Sequence, residues 1–339
     1  MRKASVFSFV LGRIITAQAF PVPIQMRAVV TGAAGFIGST LTDLLLAEGH
    51  EVVGVDNFDD YYSGKMRFLS RHLDNKDFKL MEIDILNFDD LRQSFEDADV
   101  VFHLAAQAGV RISVKDPLRS HHANTTGTLN VLLAARDEGV KRVVSSSSSS
   151  VYGNAVRLPA RETDPAVPIS PYAASKLAAE YYCTLFYKLY GLQSVSLRYF
   201  TVYGPRQRPD MAIRIFTDRA LDGLHPQIFG DGEQTRDFTF IADVVDAIRR
   251  CADCPDPKGE PLNICSGSTV SVNQVVSSIL KAVDREDLKP EYLPPQPGDV
   301  DHTWGDSSKA KELLGWQPKV KIDEGLSRFV DWYRREGRA

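Results

Sequence analysis

Short apolar runs alternate along the chain with segments whose apolar residues recur every three to four positions. The runs at 28–30, 52–55, 80–83, 100–104, 143–144 and 194–197 have the length of strands buried on both faces. The stretches between them carry the helical period, and such alternation over about 170 residues predicts an α/β fold, a doubly wound parallel sheet with right-handed crossovers. Beyond Arg198 the texture changes. Proline and glycine become denser at 204–209, 225–226, 230–232 and 294–298. A smaller α/β C-terminal part follows, with helices expected near 211–221, 241–251, 272–283, 307–314 and 322–335.

Composition narrows the class. The 339 residues are 43% hydrophobic and 25% charged with a formal charge of −4, the balance of a folded enzyme that gives no reason to expect a nucleic-acid or membrane-surface partner. Cys183, Cys251, Cys254 and Cys265 are too scattered for a disulfide framework and point to a reducing, cytoplasmic setting. Cys251-x-x-Cys254 has no second ligand pair, so no metal site is expected. Residues 1–25 resemble a secretory signal in Arg2, Lys3, the apolar 6–11 and Ala17-Gln18-Ala19. Arg13 interrupts that pattern, and the segment reads as an N-terminal extension, disordered or loosely packed before Met26.

Two motifs carry chemistry. Thr31-Gly-Ala-Ala-Gly-Phe-Ile-Gly38 follows the first predicted strand and opens a helix, the setting in which glycines cradle a dinucleotide. Gly32 and Gly35 permit a tight turn and close approach to a pyrophosphate, Gly38 lets helix and strand pack, and the helix N-terminus attracts the anion. The sheet is therefore expected to be Rossmann-type. Ala34, Phe36 and Ile37 complete the turn. Asp56, at the end of the second strand and followed by Asn57, suits the adenosine ribose hydroxyls and disfavours a 2′-phosphate, so NAD is the expected cofactor. Asp84, followed by Ile85, is a candidate partner for adenine. Leu104, Ala105 and Ala106 let a flat cofactor cross the fourth strand, and His103 reads as a hydrogen-bonded structural residue.

The second motif is Ser170-Pro-Tyr-Ala-Ala-Ser-Lys176, which places Tyr172 and Lys176 one helical turn apart. Lowering a phenol from ~10 to ~7 takes about 4 kcal/mol, of which one cation at ~5 Å supplies roughly 3 kcal/mol in an effective dielectric of ~20. A second cation, such as an oxidised nicotinamide, closes the gap.

With TGAAGFIG, HLAAQAGVR, NTTGT, SSSSVYG, SPYAASK, RYFTVYGPRQRPDM, RDFTFIAD and QPGD in this order, the chain resembles the extended short-chain dehydrogenases/reductases from Met26 to about Tyr333. The branch it resembles is that of NAD-dependent nucleotide-sugar epimerases. The resemblance implies that Tyr172 is the base, Lys176 its partner and a ribose ligand, and Ser148 the hydroxyl bonded to the reacting oxygen, with Asn124 touching the cofactor. Relatives that dehydrate or decarboxylate carry acids just after the residue matching Ser148. Here Ser149 and Ser150 stand in those places, which favours 4-epimerisation. The motifs look closest to those of UDP-glucuronate 4-epimerases, which implies that Ser149, Ser150, Thr201 and Arg208 surround a sugar carboxylate, with Arg208 pairing it.

Arg111, Gln227, Phe229, Arg236 and Asp299 resemble residues that hold UDP. Gln296 stands where UDP-galactose 4-epimerases place an arginine. The implied activity is UDP-glucuronate 4-epimerisation through a 4-keto sugar. UDP-glucose/UDP-galactose epimerisation, net dehydrogenation and a silent NAD-binding regulator remain the alternatives. The implied organisation is an NAD domain at 26–199, with segments near 239–265 as candidates to return to it, a substrate domain over 200–339, and a homodimer through helices near 120–135 and 171–189.

Overall fold

The computed structural model describes residues 25–295 and 300–337. The extension expected over 1–25 lies outside them but for Gln25, as do Gln296 and Asp299. Seven parallel strands form the central sheet: β1 (Arg27–Thr31), β2 (Glu51–Asp56), β3 (Phe78–Glu82), β4 (Val100–His103), β5 (Arg142–Ser148), β6 (Gln193–Tyr199) and, much later in the chain, β11 (Pro261–Ile264). Their order is β11-β6-β5-β4-β1-β2-β3. The chain therefore reverses direction across the sheet between β1 and β4, and a crevice opens at their C-terminal ends.

Side chains alternate between the faces with the period of two that a pleated strand imposes. Ala28, Val30, Val52, Val100, Phe102 and Val144 pack on α1 (Phe36–Ala47) through Leu41 and Leu45. Val29, Val53, Val55, Val101 and Val143 meet the opposite layer. That layer consists of α2 (Phe88–Gln93), α5 (Gly127–Asp137) and α6 (Pro171–Tyr190), with α3 (Val110–Lys115) and α4 (Pro117–His121) beside α6. Both faces are covered, and the central strands β1, β2 and β4 are accordingly built largely from buried apolar residues.

β5 departs furthest from that pattern. Its hydropathy stops at Val144, yet the strand runs on through the serines to Ser148, because every one of those positions pairs in register with β6, ending at Ser148 beside Tyr199.

Beyond β6 lie β7 (Thr201–Tyr203), α7 (Ala212–Leu221), β8 (Gln227–Phe229), β9 (Thr235–Arg236), β10 (Phe238–Phe240), α8 (Ile241–Arg250), β12 (Val270–Ser271), α9 (Val272–Ala282), β13 (Glu291–Leu293), α10 (Ser308–Leu314) and α11 (Ile322–Trp332). The short strands pair as β7 with β10, β9 with β12 and β8 with β13. α8 packs against α1, and β11 pairs with β6 in parallel. Cys251 and Cys254 are buried where the carbonyls of Cys251 and Cys254 accept from Arg142 Nη1 at 2.8 Å. Among the described residues no acid, histidine and cysteine cluster could hold a metal, and no helix is long and apolar enough to cross a membrane.

Candidate active site

A cleft of about 840 Å³ opens at the C-terminal ends of β1 and β4. At one end Gly32 adopts φ +71° and its amide donates to the Val55 carbonyl at 2.7 Å. A Cβ on Gly32 would come within 2.7 Å of the Ala105 nitrogen, and one on Gly38 would overlap the Gly32 carbonyl oxygen. Only glycines allow this turn at 32 and 38, and it leads into the N-terminus of α1, where Gly35, Phe36 and Ile37 line the cleft and the end of the helix suits an anion. Asp56 accepts from the Ala34 amide at 3.0 Å and the Phe58 amide at 2.8 Å. Burial pushes its carboxyl up despite Lys65 3.9 Å away. Asn57 donates to Asp84 at 3.0 Å, which joins two of the expected adenosine contacts.

The wall also contains Gly35, Phe36, Ile37, Ile85, Leu104, Ala105 and Ala106. Two expected cofactor contacts are not on it. Ala34 is fully buried behind the turn, where its amide serves Asp56. Asn124 is also fully buried, its amide group donating to Gln107 O and Ser175 Oγ and accepting from the Gln107 amide. It fixes the loop after β4 to α6 from behind.

The other end of the cleft is built by the serine end of β5 and the first turns of α6. Ser170 caps that helix by accepting from the Ala173 amide at 3.2 Å, with Pro171 in the first position. Tyr172 and Lys176 then line the cleft beside Ser146 to Ser150. Lys176 is 3% exposed and donates to the Ser146 carbonyl at 2.8 Å. Burial brings it down to about 8, opposed by Cys183 and Glu180.

Burial likewise pushes Tyr172 up, opposed by its hydrogen bond with Ser148 and by the charge of Arg208. The charge of Arg208 thus acts on the phenol, while the ammonium of Lys176 is turned to the Ser146 carbonyl. His103 is held between Thr31 Oγ1 at 2.8 Å and Thr128 Oγ1 at 3.0 Å. Burial pushes it down to about 3, which makes it a neutral structural group.

Beneath the serines lies a sealed polar cluster. Arg198 donates along one edge to both oxygens of Glu180, at 2.9 and 2.7 Å, and through Nη1 to the Tyr152 hydroxyl at 2.9 Å. Tyr152 donates on to Asn263 of β11 at 2.7 Å, and Ser147 donates to Glu180. The serine strand that carries Ser148 rests on this cluster.

Ser149, Ser150, Thr201 and Arg208 share the wall with Tyr172. Arg208 also grips Asp210, Nε to Oδ1 at 2.9 Å and Nη2 to Oδ2 at 3.1 Å, and Tyr61 donates to Asp210 Oδ2 at 2.8 Å. Sequence reasoning missed Tyr61, Tyr62, Lys65 and Arg119 on the wall. The available signal was position: the Asp59-Asp-Tyr-Tyr62 run begins three residues after the strand end that bears Asp56, where ligands of open α/β sheets bind. Arg111, Gln227, Phe229 and Arg236 are not on this wall. Arg111 lies 5.3 Å above the Phe229 ring, Gln227 donates to Glu291, and Arg236 donates to the carbonyls of Thr235 and Asp301.

The family described as GDP-mannose 4,6 dehydratase matches residues 29–329. A UDP-glucose 4-epimerase of Mycolicibacterium smegmatis is 42% identical over 92% of this chain and 99% of its own. A UDP-glucuronate 4-epimerase of Thermodesulfobacterium geofontis is 43% identical over 89% of this chain and 94% of its own. Among solved structures, the UDP-glucuronic acid 4-epimerase of Bacillus cereus in complex with UDP-glucuronic acid and NAD superposes with a TM-score of 0.86. It is 37% identical and covers 91% of this chain and 99% of its own.

Proposed function

The chain belongs to the GDP-mannose 4,6 dehydratase family of extended short-chain dehydrogenases/reductases, within which it is a nucleotide-sugar 4-epimerase, and we propose that its substrate is UDP-glucuronate, converted to UDP-galacturonate. The observation that carries this reading is the guanidinium of Arg208 on the same wall as Tyr172, Ser149, Ser150 and Thr201. A carboxylate on carbon 5 of a sugar whose carbon 4 faces Tyr172 lies within reach of that group, and planar carboxylate recognition is what a guanidinium does best.

The turn at Gly32, the α1 N-terminus, Asp56, Asn57 and Asp84 would hold NAD, which when bound accepts hydride from carbon 4 and returns it to the opposite face. Tyr172 as phenolate takes the proton of the carbon 4 hydroxyl and later gives it back. Ser148 hydrogen-bonds the same oxygen. The free protein leaves Tyr172 raised, so its ionisation depends on the charge a bound oxidised cofactor adds to that of Arg208. We read Arg111, Gln227, Phe229 and Arg236, together with Asp299 outside the described residues, as holders of the UDP end.

The 4-keto uronate formed in passing is a β-keto acid. If the bond between carbons 5 and 6 stands perpendicular to the plane of the carbonyl, it breaks, carbon dioxide leaves, and the electron pair enters an enolate that takes a solvent proton at carbon 5. Holding the carboxylate is therefore part of the task. Proton NMR of the purified protein incubated with UDP-glucuronate or UDP-glucose tests the assignment. UDP-galacturonate is the expected product, and turnover of UDP-glucose alone would replace the uronate with a neutral hexose. Tyr181, Leu185 and Leu189 form an exposed stripe along α6, with Val114 and Leu118 exposed on the adjoining helices, which supports a homodimer through this layer. Light scattering on the eluted protein tests that.

A further inference from the structure

The segment from Gly204 to Met211 reaches the cleft from the second half of the chain, yet it is pinned to the first half on both sides of Arg208. On one side Arg206, in the left-handed region at φ +69°, pairs with Asp43 of α1 at 2.7 Å and lies 5.4 Å over the Phe68 ring. On the other side Asp210 accepts from Tyr61, in the loop after β2. Burial and Asp210 push that phenol up to about 12, so it stays a donor at any working pH. Arg208 therefore hangs between two anchors supplied by the cofactor half.

The way Asp210 holds it matters. The carboxylate occupies the Nε and Nη2 edge of the guanidinium. A guanidinium has a second fork, formed by its two terminal nitrogens, and a carboxylate on the first edge fixes the plane and direction of the second. We propose that Asp210, braced by Tyr61, is a positioning residue that aims the terminal fork of Arg208 at the sugar carboxylate and so keeps the 4-keto intermediate from losing carbon dioxide. This rests on the uronate reading above.

The charges predict which kinetic constant responds. Asp210 offsets the charge of Arg208, so removing it strengthens attraction for an anion while releasing the direction in which that anion is held. Binding persists and alignment is lost. The fall should sit in kcat, and the escaping intermediate should be decarboxylated.

The test compares wild type, Asp210→Asn and Tyr61→Phe as NAD-loaded enzymes. Kinetics use UDP-glucuronate labelled at carbon 6, with trapping of released carbon dioxide, and the affinity for UDP-glucose is measured by calorimetry. For Asp210→Asn a fall of about tenfold or more in kcat is expected, with KM held within about threefold and carbon dioxide release raised severalfold per turnover. Tyr61→Phe should move the same way by less, and UDP-glucose affinity should stay within about twofold in both. A matching loss of UDP-glucose affinity, a fall carried by KM alone, or unchanged turnover and product would each overturn the aiming role. A wild type inactive on UDP-glucuronate removes the substrate reading and the aiming role together, and that control separates the two failures.

Discussion

The floor of the cleft and its rim each hold an arginine gripped along one edge by a carboxylate. In the floor, Arg198 and Glu180 are 5% and 6% exposed, and the remaining Nη1 is taken by Tyr152. At the rim, Arg208 and Asp210 are 19% and 38% exposed, and the terminal fork is not taken by Asp210. The same pairing serves opposite ends. Where water is excluded and each of the three guanidinium nitrogens has a partner, the pair supports the strand above it. Where one fork remains, the pair can recognise an anion. Exposure and unused valence separate the two, and neither is visible in the residue types.

Breaking the floor should give the largest effect. Glu180→Gln leaves Arg198 buried without its counter-charge, which costs about 3–5 kcal/mol. Denaturant unfolding should show a midpoint shift of that size. A loss below about 1 kcal/mol would mean that the floor is not the support described. Breaking the rim should do the reverse. Arg208→Ala should change stability by less than about 1 kcal/mol while lowering kcat/KM for UDP-glucuronate by roughly a hundredfold, a drop of about 2.7 kcal/mol in transition-state binding. Equal losses of stability in both variants would erase the distinction.

The smallest effect sharpens it. Lys176 lies between the two regions, and its ammonium, brought down to about 8 by burial, is held up in part by Glu180 but not by Arg208. Activity that needs this charge should fall along an alkaline limb near pH 8 in kcat/KM. The folded protein gives up this proton before an unfolded lysine does at about 10.4, so stability should rise with pH between the two values. Glu180→Gln should move the limb to lower pH, and Arg208→Ala should leave it in place.

The cofactor end was legible in the sequence because backbone builds it. Glycines at 32, 35 and 38 fix a turn by local geometry, and Asp56, Asn57 and Asp84 lie at strand ends whose position follows from the alternation of apolar runs. Asn124 and Ala34 lie buried behind the cleft wall; sequence gives the loop but not which way a residue in it faces. The rim was partly legible. Arg208 and the serines stand out by type, whereas Tyr61 and Asp210 meet across a long stretch of chain and carry no local sign of doing so. The serine end of β5 defeated hydropathy for a related reason. Its strand character comes from pairing with β6, while its side chains are spent on Glu180 and on the cleft.

The place of β11 has a consequence for biosynthesis. As the chain leaves the ribosome, β6 emerges with its outer rim of amides and carbonyls unpaired, and remains so until Pro261–Ile264 has followed. An unpaired strand edge is a template for pairing with other chains, so the last third of the chain doubles as a cover that completes what the first two thirds cannot finish alone.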